Sequence, residues 1–203
     1  MKIIVIGASG TIGKAVVAAA AGAGHDVVEV ARTSGAHRAD ISDAASLRAL
    51  FAKLAGFDAV ACAAGEVFGA PLAQTTDDQW ARSFRSKAMG QIDVVRAGLP
   101  HIADGGSFTL VSGILTDERI AGSTLGSTIN NTVEGFVKAA ASELPRGIRI
   151  NCVSPTVLTE AVAYHPFFPG FPTVDAAEVG LAYLRAMSNP MTGRILKLHK
   201  TDS

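Results

Sequence analysis

The stretch Lys2-Ile3-Ile4-Val5-Ile6-Gly7-Ala8-Ser9-Gly10-Thr11-Ile12-Gly13 decides how the rest of the chain is read. Five residues dominated by β-branched side chains predict a buried strand, and the glycines that follow predict a tight turn into a helix. Each glycine has its own reason in such a turn. Gly7 permits the sharp bend, Gly10 lets a bulky anion approach the backbone, and Gly13 lets the helix pack closely on the strand. The helix start then offers unpaired N–H groups of Ser9, Thr11 and Ile12 and a positive dipole end to phosphate. A glycine-rich turn also occurs simply as a turn, so strand–turn–helix context is what gives this one its meaning.

Working outward, short apolar runs alternate with longer amphipathic ones. Strands are expected at about Lys2–Ile6, Asp26–Ala31, Ala36–Ala39, Phe57–Ala63, Gly106–Ser112, Ile148–Val153 and Arg194–Leu198. Helices are expected at about Thr11–Ala23, from a cap at Ser42 or Asp43 to Leu54, over Thr76–Lys87 and on to Leu99, and over Ser127–Leu144 and Asp175–Ser188. That alternation predicts an α/β fold: a Rossmann-type, doubly wound parallel sheet of about seven strands with helices on both faces. With no linker, repeat or low-complexity tract, residues 1–203 read as a single dinucleotide-binding domain. Tyr164–Thr173, rich in Phe, Pro and Gly, is the one irregular stretch.

Composition narrows the partners. Lys plus Arg and Asp plus Glu are 18 each among 203 residues, so no basic surplus points to nucleic acid or an anionic membrane. No apolar run reaches the ~18 residues of a membrane span. The first apolar run breaks into the glycine turn and not into a cleavage site, so it reads as a strand and not as a leader. Cys62 and Cys152 sit in apolar strand-like runs and read as free core thiols, which fits a reducing cytoplasm. No metal-ligand spacing stands out.

At the end of the second strand, Val30-Ala31-Arg32-Thr33-Ser34 carries no acid where an NAD-selective site places one for the ribose 2′-hydroxyl. Arg32 can instead neutralise a 2′-phosphate, helped by the Thr33 and Ser34 hydroxyls, which favours NADP over NAD. The competing reading of Arg32 is an ordinary exposed arginine.

These features together resemble the short-chain dehydrogenase/reductase family along nearly the whole chain. The glycine turn matches, with Thr11 where the commonest family pattern has glycine. Asp40-Ile41 matches the pair that contacts adenine in the family. Ala63-Ala64-Gly65 stands where members usually read Asn-Ala-Gly along the cofactor. Gly147-Ile148-Arg149-Ile150-Asn151-Cys152-Val153-Ser154-Pro155 matches the strand leading to the nicotinamide pocket, which places Pro155 and Val157 beside the cofactor. Thr156 replaces the usual glycine after that proline.

The family's chemistry uses a Tyr and a Lys four residues apart on the long helix, a Ser that polarises the carbonyl, and an Asn on the preceding helix. Here the tyrosine position falls on Gly126 and the lysine position on Asn130; no tyrosine occurs between Gly106 and Ser154. The serine position falls on Gly113 or, with a one-residue slip, on Ser112. Lys87 stands at the asparagine position, so Lys87 and Asn130 have exchanged residue types. In the family's fold the two sites lie close together, so the exchange would keep one ammonium and one amide in one pocket. The alternative is that both positions drifted after catalysis was lost, with Lys87 reaching solvent. Of the two tyrosines, Tyr183 is expected in the core and Tyr164 in a segment covering the substrate.

Three functions follow from the resemblance. One is an NADP-dependent oxidoreductase of an unidentified carbonyl or alcohol, with Ser112, Lys87 and Asn130 as its polar groups. Another is a non-catalytic NADP-binding sensor or regulatory partner. The third is a structural subunit with a residual site. The long middle helices imply a homodimer or homotetramer.

Overall fold

A computed structural model describes residues 1–200 of the protein. Among the described residues, seven parallel strands form one sheet in the order β3-β2-β1-β4-β5-β6-β7. They are β1 (Lys2–Ile6), β2 (Asp26–Ala31), β3 (His37–Arg38), β4 (Phe57–Cys62), β5 (Ile102–Val111), β6 (Arg149–Pro155) and β7 (Ile195–Leu198). The α-helices that accompany them are α1 (Thr11–Gly22), α2 (Ala44–Lys53), α3 (Asp77–Ser83), α4 (Gly90–Gly98), α5 (Thr124–Ala140) and α6 (Ala176–Ser188). Seven strands in a doubly wound parallel sheet is the architecture expected from the sequence.

The central strands β1, β4, β5 and β6 are buried on both sides because both faces of the sheet are covered. Ile4, Ile6, Val60, Cys62, Phe108, Leu110, Ile150 and Cys152 point into one core, which Leu47, Phe51, Val94, Val133 and Val137 of α2, α4 and α5 complete. The alternate residues Ile3, Val5, Ala59, Ala61 and Val153 face the other core, closed by Val16 and Ala20 of α1 and Val179 and Tyr183 of α6. Both cysteines are free and buried, as expected. Small side chains let α1 and α6 touch backbone to backbone: a Cβ on Gly180 would run into the carbonyl of Ala15.

The structure sharpens or shifts several boundaries of the sequence reading. Strand β5 begins at Ile102 and not near Gly106, because Ile102 pairs with Phe57 before the register shifts and Ser107 pairs with Ala59. Asp43, not Ser42, caps α2 by accepting from the Ala45 N–H at 2.8 Å; Ser42 donates to Asp40 instead. Helix α5 starts three residues early, with Leu125 and Gly126 buried in its first turn, and residues 141–143 form only a turn. Between α3 and α4 the chain stays helical but widens into a π-turn over Phe84–Met89. Such turns insert a residue and re-aim side chains, and they gather at functional sites. Lys87 lies within it.

The chain starts in mid-sheet at β1, winds outward through β2 and β3, then crosses back to β4. The strand order therefore reverses between β1 and β4. A crevice opens beyond the carboxyl ends of the strands at such a reversal. Gly7 follows β1 there, and Ala63-Ala64-Gly65 follows β4.

Candidate functional site

A cleft of about 210 Å³ occupies this switch point, lined by Gly7, Ser9 and Gly10, by Arg32, by Asp40 and Ile41, and by Ala63, Ala64 and Gly65. Four segments separated in sequence, each expected from the sequence to face a cofactor, are thus brought to one cavity. Glu66 and Ser86 also line it. Sequence reasoning missed both, although Glu66 directly follows the Ala-Ala-Gly segment and Ser86 directly precedes Lys87.

The glycine turn has the backbone its residues require. Gly7 adopts φ +84°, and a Cβ on it would lie 2.7 Å from the Ala63 carbonyl oxygen. A Cβ on Gly13 would overlap the Gly7 carbonyl, so only glycine lets α1 begin so close to β1. Gly10 is the N-cap and no side chain caps α1 there; no acidic residue occupies the first turn either. The positive end of a twelve-residue helix thus faces the cleft without an internal counter-charge. Thr11, Ile12 and Gly13 form the helix start behind the cleft wall.

The wall formed by Asp40 and Ile41 is equally ordered. Asp40 Oδ1 accepts from the Ser42 hydroxyl at 2.7 Å and the Ser42 N–H at 2.9 Å. Those bonds hold its carboxyl below the usual range, with Arg32 and Arg85 adding to the effect. Ile41 is seated on Gly90, where a Cβ would meet it at 3.0 Å. Arg32 reaches the cleft, while Thr33 and Ser34 are exposed and lie outside its lining.

The residues expected to form the reaction half lie farther along the strand ends. Lys87 does not reach freely into solvent: its Nζ donates to the Ser112 carbonyl at 3.3 Å, and its stem packs on Gly65. Burial lowers its pKa from 10.5 to about 8. Asn130 Nδ2 approaches the next carbonyl, that of Gly113, at 3.5 Å. Lys87 and Asn130 therefore converge on consecutive carbonyls from different helical segments. Asn130 is 4% exposed, and its Oδ1 is buried without a partner. That acceptor fits a ligand that brings a hydroxyl, such as a ribose.

Ser112 is arranged otherwise than its sequence position suggested. Its hydroxyl donates to Glu134 Oε1 at 2.7 Å, and both residues are buried. That proton is committed to the interior. Gly113, with φ +159° in extended backbone, stands at the end of the strand in its place. At Gly126 the space beside the backbone is taken by Leu115 Cδ1, 3.3 Å from where a Cβ would be, and Val67 Cγ1 at 3.8 Å.

Tyr183 is in the core, as expected, donating to the Cys62 carbonyl at 2.7 Å. Tyr164 belongs to the segment between β6 and α6 and is 62% exposed. Pro155 and Val157 are buried at the end of β6 and outside the cleft lining.

Comparison with known proteins agrees with this geometry. Residues 7–190 match the family described as enoyl-(acyl carrier protein) reductase, and the chain belongs to the short-chain dehydrogenase/reductase family of oxidoreductases. A short-chain dehydrogenase/reductase of Pyricularia oryzae is 35% identical over 107 residues, covering 52% of this chain and 40% of that protein. An uncharacterized oxidoreductase of Methylorubrum extorquens is 30% identical over 144 residues, 66% of this chain and 58% of its own length. The chain thus spans only part of the length of these relatives. Among solved structures, a protein from Listeria innocua is 38% identical with a TM-score of 0.93, covering 97% of this chain and 98% of that one. A small-chain dehydrogenase in complex with NADPH is 26% identical with a TM-score of 0.86, covering 98% of this chain and 96% of that one. Among the described residues no helix is long and apolar enough to cross a membrane.

Proposed function

We propose that this chain binds NADP(H) and is an oxidoreductase of a carbonyl or alcohol with an atypical reaction half. The observation that carries the reading is the cleft that unites the glycine turn, Arg32, Asp40-Ile41 and Ala63-Ala64-Gly65. The NADPH complex of a structural relative supports the same assignment. When bound, the dinucleotide supplies or accepts the hydride. The α1 N-terminus and Gly10 receive the pyrophosphate, and Asp40 and Ile41 frame the adenine. Arg32 faces the 2′-phosphate as the cation that favours NADP.

Lys87 takes over the family lysine's place from the neighbouring helix, and Asn130 provides the amide that Lys87 displaced. In this reading Lys87 Nζ and Asn130 Oδ1 hold the nicotinamide ribose, donor and acceptor together. Lys87 is also the group of the reaction half that can carry a proton on and off near neutral pH. Gly126 supports a second reading: with Leu115 and Val67 where a phenol would stand, the protein senses NADP(H) and regulates a partner without hydride transfer. The dimer or tetramer that the family implies is proposed with either reading, and sedimentation of the purified chain tests it.

Single-turnover absorbance at the reduced nicotinamide band, with NADPH-loaded protein and a panel of ketones, aldehydes and enones, separates the two. Oxidation by any of them, lost in Lys87→Ala, supports the oxidoreductase. Tight binding with a flat trace across the panel favours the sensor.

A further inference from the structure

Arg32 follows β2 and Glu66 follows β4, with β1 and its glycine turn between them in the sheet. Arg32 Nη1 nevertheless meets Glu66 Oε1 at 3.1 Å, and both side chains line the switch-point cleft. This ion pair therefore arches across the turn that faces the pyrophosphate. Its acidic partner is held in place. The Glu66 N–H donates to the Ser86 hydroxyl at 3.0 Å. One residue earlier, Gly65 takes φ +135°, where a Cβ would meet the Lys87 side chain at 2.7 Å. Glu66 thus emerges from a pinned backbone, while its side chain and that of Arg32 are 70% and 59% exposed.

Resting on the NADP(H) reading above, we infer that Glu66 is a specificity-determining residue that restrains this site's preference for the 2′-phosphate. The guanidinium is already engaged by a carboxylate in the free protein. A 2′-phosphate must displace that carboxylate or sit beside it, and either way it meets a like charge. A ribose bearing a plain 2′-hydroxyl makes no such demand and leaves the pair intact. Arg32 favours NADP and Glu66 sets how strongly, so the site also accepts NAD at a moderate disadvantage. Sequence reading could not find this, because the two residues are far apart in the chain and meet only through the strand order.

The test is calorimetric titration of wild type, Glu66→Gln, Arg32→Ala and the double variant with NADPH and with NADH at low ionic strength. Exposed ion pairs are weak, so Glu66→Gln should tighten NADPH by about two- to fivefold and leave NADH unchanged. The gain should shrink at high salt and vanish in the Arg32→Ala background. A gain shared equally by NADH, no change for either, or weaker NADPH binding by Glu66→Gln would overturn the inference while leaving the NADP(H) reading standing. If the wild type binds neither dinucleotide, the underlying reading itself fails, which is a different outcome from a silent Glu66.

Discussion

The ammonium of Lys87 donates to the carbonyl oxygen of Ser112, and the very next carbonyl, Gly113, is the one that the Asn130 amide approaches. A lysine from the π-turn and an asparagine from α5 therefore share one short piece of backbone at the end of β5.

With Lys87 holding the ribose as proposed, dinucleotide affinity should depend on pH. Burial brings Lys87 from 10.5 to about 8, so the group is charged below about 8 and loses its charge above it. NADPH affinity should fall as pH rises through that point, with the inflection absent in Lys87→Ala, which binds several-fold more weakly throughout. Lys87→Arg should bind without the inflection, since arginine stays charged. Stability moves the opposite way. The unfolded chain keeps the proton up to 10.5, so between about 8 and 10.5 it binds more protons than the folded one, and stability rises with pH there. Titrations at pH 6.5, 7.5, 8.5 and 9.5 check the first point, and thermal midpoints against Lys87→Met check the second.

The second and third glycines of the turn, Gly10 and Gly13, should separate binding from folding. Gly10 has φ −79°, and a Cβ there would lie 3.4 Å from the Gly7 carbonyl oxygen, so alanine fits with slight adjustment. Gly10→Ala is expected to fold normally and lose roughly tenfold or more in NADPH affinity by obstructing phosphate approach. Gly13→Ala drives a methyl into the Gly7 carbonyl and should cost about 3 kcal/mol or more of stability. Chemical denaturation beside calorimetry distinguishes them; equal stability for both variants would contradict the packing argument.

What could be read from the sequence follows from how local each cause is. The strand–turn–helix at Lys2–Gly13 and the both-sided apolarity of the central strands depend on neighbours in the chain, so the sheet and the glycine turn were legible. The exchange of Lys87 and Asn130 was legible as residue types. That both side chains reach one backbone segment depends on the π-turn at Phe84–Met89, which leaves no mark in hydrophobic periodicity. The hydrogen bond of Ser112 was hidden for a similar reason. Its strand-end position fits a polarising serine, but the buried Glu134 that claims its hydroxyl lies 22 residues away on α5. The early start of β5 at Ile102 was hidden because its pairing with Phe57 is offset by a register shift.

Ser112 should accordingly behave as a structural residue. Ser112→Ala leaves the Glu134 carboxyl without its donor in the interior and is expected to cost about 1–3 kcal/mol. NADPH affinity should stay within about twofold, since the hydroxyl is turned to Glu134 and Ser112 does not line the cleft. Denaturant titration and calorimetry on one preparation decide it: weaker turnover with unchanged stability would return Ser112 to the reaction.

His199 gives a second pH dependence, on the acid side. Its Nε2 meets Ser154 Oγ at 3.1 Å and its Nδ1 meets Asp117 Oδ2 at 3.3 Å, where Lys197 also binds at 2.7 Å. Desolvation lowers its pKa despite the pull of Asp117, with Lys197 lowering it further and Glu134 and Glu118 opposing. The unfolded chain then takes up the proton first, so stability declines as pH falls below about 6.5. His199→Gln should lessen that decline, read as a smaller loss of thermal midpoint between pH 7.5 and 5.5. An identical decline in the variant would remove His199 as its source.

The most direct measurement is a pair of calorimetric titrations of the wild-type protein, one with NADPH and one with NADH, under the same buffer and salt. One site per chain, filled by NADPH at micromolar concentration and by NADH more weakly, is the result expected from Arg32 at the end of β2. No heat and no saturation with either dinucleotide would contradict the assignment of the switch-point cleft.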